Sequence, residues 1–129
     1  MRKSRMRLVA GMFCAVVLAA LAPLGHADDE SFTVLVRFYP APGREAELQV
    51  RLSKLRDFVH KHNPGVTYRL HRSEKAPAVF LMYETFPSQT AFDDMATKVF
   101  PAFQKEHGPI PEGITARPVE REVFRVVTD

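Results

Sequence analysis

Tryptophan is absent from the 129 residues, and cysteine occurs once, at Cys14. A single cysteine excludes an intramolecular disulfide, so the fold must hold by packing alone. No pair of histidines or cysteines has metal-ligand spacing, and no structural metal is expected. Glycine-rich phosphate loops, nucleotide fingerprints and nucleophile triads are missing too, which removes the common hydrolase and kinase classes. Acidic residues are absent before Asp28. That one-sided start is the first thing the sequence has rather than lacks.

The segment MRKSRMR carries Arg2, Lys3, Arg5 and Arg7, and an apolar run follows from Leu8 to Leu24. A basic start, a short apolar stretch and the small-x-small site Gly25-His26-Ala27 form a secretory signal pattern. The apolar run is about 17 residues, interrupted by Pro23, against the roughly 20 needed to span a bilayer. Cys14 follows Phe13, where a lipoprotein signal wants a small residue. The pattern predicts a signal peptide over 1–27, a mature domain over 28–129 and a periplasmic location, with no membrane anchor after cleavage. An uncleaved anchor is the alternative. Four of the 18 basic residues and none of the 15 acidic ones lie in that segment, which leaves 14 against 15, a net of −1. No basic stripe remains, so nucleic acid is not an expected partner.

SFTVLVRFY (31–39) alternates as a strand, with Phe32, Val34, Val36 and Phe38 on one face and Thr33, Leu35, Arg37 and Tyr39 on the other. After PAPG, the stripe Leu48, Leu52, Leu55, Val59 predicts a helix that Asn63-Pro64-Gly65 stops. VTYRLHRS (66–73) and AVFLMYETF (78–86) read as a strand pair joined by a turn at EKAP, the second strand apolar on both faces. Ser88 caps a second helix with the stripe Phe92, Met95, Val99, Phe103, and Pro101 predicts a break or kink that leaves two short helical pieces. Ile114–Val127 reads as the last strand, with Pro118 at an edge or bulge. The order β-α-β-β-α-β predicts an α+β, ferredoxin-like fold with a four-stranded antiparallel sheet and both helices on one face. The other face needs a partner, and a homodimer supplies one.

PAPGREAE before the first helix, NPGVTYRLHR after it and YETFPSQTAFDDM leading into the second helix together resemble the antibiotic biosynthesis monooxygenase domain, over about residues 32–126. That family includes quinol monooxygenases and forms dimeric α/β barrels. The resemblance implies a pocket in each subunit between sheet and helices. It also implies oxidation of a quinol or related electron-rich aromatic by O₂ without a cofactor. One branch degrades haem with an Asn, Trp and His set, which this chain lacks. Phe86 stands where family members commonly have Trp, and Met95 where they often have His.

Glu84 shares a strand face with Phe80, Met82 and Phe86. A carboxylate there must find a cation or stay protonated. It is either a base for a phenolic proton or a structural ion-pair partner of Arg37 or Arg69. His71 is a second candidate base or a solvent-facing strand residue. Arg37, Arg69 and Tyr39 are candidates to steady a substrate anion. Phe80, Met82, Phe86, Phe92, Met95 and Val99 are core residues that also line any pocket between sheet and helices. The other function class is a non-catalytic exported dimer that binds a small apolar ligand.

Overall fold

The computed structural model describes residues 30–128, so the expected signal segment lies outside the described residues. The chain forms β1 (Phe32–Phe38), α1 (Glu45–His62), β2 (Thr67–Arg72), β3 (Phe80–Phe86), α2 (Gln89–Asp94), a π-helical turn (Met95–Val99), α3 (Phe100–His107) and β4 (Glu120–Arg125). The sheet order is β2-β3-β1-β4 with every neighbouring pair antiparallel. Two split β-α-β units interlock in this way, so the fold is α+β and ferredoxin-like.

One sheet face carries the core. Phe32, Val34 and Val36 of β1, with Phe80, Met82 and Phe86 of β3, pack against Leu48, Leu52, Phe58 and Val59 of α1 and against Phe92, Met95, Val99 and Phe103. The predicted helical stripes are therefore the buried ones, except that in α1 Leu55 is only partly buried and Phe58 is buried as well. α1 opens with Glu45 and Glu47 and closes with His60, Lys61 and His62, which suits its dipole. Arg44 grips Glu47 through Nε and Nη2, both at 2.8 Å, and its Nη1 donates to the Glu112 carbonyl at 2.7 Å.

Two local expectations need correction and one is refined. The second helix falls into the two short pieces α2 and α3, but a π turn ahead of Pro101 joins them in place of a break. Ser88 Oγ caps α2 by accepting from the Ala91 amide at 3.1 Å, and the helix then widens into the π turn. The Phe100 amide bonds to the Met95 carbonyl, five residues back. Proline removes one amide and crowds the carbonyl four residues earlier; the wider turn relieves that crowding and the helix runs on to His107. His107 is thus the last residue of α3. The last strand is shorter than expected, because residues 114–119 do other work. Ile114 is buried, Pro40 bridges to Thr115, and the Ala116 amide bonds to the Tyr39 carbonyl at 2.8 Å. Regular pairing begins only after Pro118, at Arg37 opposite Glu120. β3 starts at Phe80 instead of Ala78, because Ser73 Oγ takes the Val79 amide at 2.8 Å and draws that residue into the turn.

Candidate functional site around Glu84

Register decides which side chains meet. Glu84 on β3 lies opposite Tyr68 on β2 and Val34 on β1, and Val34 lies opposite Val123 on β4. Side chains of directly paired residues share a face. Glu84 therefore points toward the helices, as do Tyr68, Phe80, Met82 and Phe86. It is 5% exposed and is the buried charged side chain among the described residues. Phe32, Phe86 and Phe92 form a mutual cluster on the same side, with ring centroids 5.1–5.9 Å apart. Met82 and Met95 are buried in the same core, and Val99 and Phe80 complete the apolar surround.

Burial pushes the Glu84 carboxyl up to about 7, against the pull of the Arg121 guanidinium and of hydrogen bonding from Tyr68. The Tyr68 phenol is pushed well up by its own burial and by the facing carboxylate, so it stays a proton donor. Arg121 attracts the carboxyl without forming an ion pair with it among the described residues. A carboxyl in this state exchanges a proton near neutral pH, which is what a general base needs.

The other expected site residues lie on the opposite face. Arg37, Tyr39, Arg69 and His71 share the side that the helices do not cover, with Leu35, Leu81 and Tyr83. Arg37 pairs with Glu122, and the Tyr39 hydroxyl donates to Glu120 at 2.6 Å. Neither Arg37 nor Arg69 is the partner of Glu84, and the sheet separates His71 from Glu84 within one chain. The expected set therefore divides in two: Glu84 with its apolar surround on the helix side, and the polar candidates on the open side. A cleft of about 310 Å³ opens between the end of α1 and the π turn, lined by residues including Phe58, His62, Lys98 and Val99. Glu84 is not part of its lining.

Arg121 was not singled out from the sequence. In EREVFR, alternate charges read as a solvated strand face, and nothing local says that Arg121, Val123 and Arg125 turn toward the helices. They are half-buried, whereas Glu120, Glu122 and Phe124 are exposed. Among the described residues no cluster of three His, Cys, Asp or Glu is placed to hold a metal ion.

Known proteins with this architecture were found. A family model described as antibiotic biosynthesis monooxygenase matches residues 31–106. A solved structure of a proposed antibiotic biosynthesis monooxygenase from Caulobacter crescentus superposes with a TM-score of 0.63 at 24% identity, covering 78% of this chain and 92% of that one. A protein from Pseudomonas aeruginosa gives 0.62 at 19% identity, covering 80% and 100%. One from Mycobacterium tuberculosis gives 0.60 at 20%, covering 77% and 97%. No similarity to a curated protein was found. At these identities the superpositions speak for the fold alone, but the family match takes in both helices and three of the four strands, more than half of the chain. The chain belongs to the antibiotic biosynthesis monooxygenase family.

Proposed function

We propose that this protein is a cofactor-independent monooxygenase acting on a quinol or related electron-rich aromatic, with Glu84 as the base. The observation that carries the reading is a buried carboxyl, raised to about 7, in an apolar surround of Phe86, Phe92, Met82 and Met95. Glu84 removes a phenolic proton. The resulting anion is poorly solvated among apolar side chains, so it gives up electrons to O₂ more readily. One oxygen atom joins a ring carbon and the other leaves as water. All four electrons come from the substrate, so a quinol leaves as a hydroxyquinone. Glu84 returns its proton to the departing oxygen, and Tyr68 donates a hydrogen bond that steadies the carboxylate.

Oxygen uptake with a panel of hydroquinones and naphthols tests the reading. Glu84→Gln keeps the shape and is expected to lower turnover by about 10²–10⁴-fold. No uptake above the buffer control across the panel removes the enzymatic reading. A second reading, non-catalytic binding of a small apolar ligand, draws on Phe86 and Met95 standing where relatives commonly carry Trp and His. It expects ligand binding without uptake.

A further inference from the structure

Two guanidinium groups on β4 lack a hydrogen-bonded or ion-pair partner among the described residues. Arg121 and Arg125 lie two residues on either side of Val123, on the face that looks toward the helices. Their Nε atoms are buried and lack hydrogen-bond partners. Neither guanidinium forms an ion pair or a hydrogen bond among the described residues. Arg69 also lacks such a bond among the described residues, but it is exposed to solvent, and most of the other arginines are paired. Arg37 holds Glu122, Arg44 holds Glu47, Arg51 holds two carbonyls, Arg56 holds Asp57 and Arg72 holds Gln49. A buried donor without an acceptor is costly, and folds seldom tolerate one without a reason.

Their placement supplies the reason. Val123 ends the row that runs through Val34 to Glu84. The two arginines therefore straddle that row at its β4 end, with Glu84 two strands away. At 4.7–4.9 Å per strand the two backbones are about 10 Å apart. The guanidinium carbon of Arg125 lies over the Phe32 ring, 4.4 Å from the centroid. Phe32 in turn stacks on Phe86 and meets Phe92 at a tilt, so the cation adjoins the same aromatic cluster. Planar guanidinium groups bind carboxylate oxygens in bidentate pairs, and a carboxylate is the anionic group an aromatic ring commonly carries directly.

We propose that Arg121 and Arg125 bind a carboxylate carried by the aromatic ligand of the Glu84 site. The substrate class is then a hydroxylated aromatic acid, its hydroxyl toward Glu84 and its carboxylate at β4. This rests on the Glu84 side being the ligand site, and it does not require turnover.

Fluorescence titration with 6-hydroxy-2-naphthoate and with 2-naphthol, which differ by the carboxylate, tests it in the wild-type protein. The acid is expected to bind at least about tenfold more tightly. In the double variant Arg121→Gln/Arg125→Gln the ratio falls toward one, and in Arg121→Lys/Arg125→Lys part of it returns. Equal affinity for the two probes in the wild type, or an unchanged ratio in the Gln variant, overturns the proposal. So does displacement of the acid by an equal concentration of acetate, which assigns the arginines to free anions. A preserved ratio with no oxygen uptake keeps this inference and removes the oxidation.

Discussion

At the scale of single residues, Glu84 is held at a thermodynamic disadvantage. Its carboxyl is raised from the ordinary 4.5 to about 7 by burial, which the Arg121 guanidinium and Tyr68 offset only in part. The folded state therefore keeps a proton that the unfolded state loses between those values. Below pH 4.5 both states are protonated and the residue costs nothing. Stability falls as pH rises through the window from 4.5 to 7, by up to about 3 kcal/mol, and stays reduced above it. Glu84→Gln has no such group to ionise. Its unfolding free energy at pH 8 is expected to exceed that of the wild type, with the advantage shrinking toward pH 4.5. Urea titrations of both proteins across this range check the point; a variant less stable at pH 8 identifies a structural ion pair instead. The oddity of Glu84 was legible in its neighbours Met82 and Phe86. Its partners were not, because alternation sorts residues within a strand while register alone aligns the strands. Pairing Glu84 with Val34 and Tyr68 excludes Arg37 and Arg69 in one stroke and brings in Arg121.

Among the elements, the helices were the most legible part, since their apolar stripes at three- and four-residue spacing are the buried ones. The π turn was not legible: Pro101 announces a disturbance, but packing decides whether the helix ends or widens. Met95 and Val99, both buried within that turn, keep the second helix against the sheet. Arg51 was equally silent in the sequence, where it reads as a solvent-facing helical residue. It reaches across to the end of α3, donating to the His107 carbonyl at 2.9 Å and to the Gly108 carbonyl at 2.5 Å. Its guanidinium also lies 4.7 Å from the Phe103 ring centroid. Charged hydrogen bonds to otherwise unmet helix-end carbonyls, with a cation–π contact added, predict a loss of about 2 kcal/mol for Arg51→Ala. That corresponds to roughly 8–16 °C in Tm for a domain of this size. Thermal unfolding followed by circular dichroism measures it, and a shift within about 2 °C means that the clasp contributes little.

For the whole molecule, the two sheet faces differ in kind. The helix side is covered by the helices, while the open side leaves Leu35 and Leu81 half-buried, Tyr83 37% exposed and Phe124 46% exposed. These lie among the Arg37–Glu122 pair and the Thr33 and Thr85 hydroxyls, a mixed surface of the sort that self-association covers. A two-fold homodimer through this face is expected, and Leu81→Asp should turn it into a monomer in sedimentation equilibrium at micromolar concentration; a wild-type monomer there refutes the dimer. β3 announced this need in the sequence, because one helical layer cannot cover a strand that is apolar on both sides. The chemistry proposed for the helix side requires one carboxyl held near neutrality. Carbon-13 NMR titration of the glutamate carboxyls, with Glu84 assigned by its absence in Glu84→Gln, tests this most directly. One carboxyl with a midpoint near 7 is expected. A Glu84 resonance titrating at the ordinary 4.5 would contradict it.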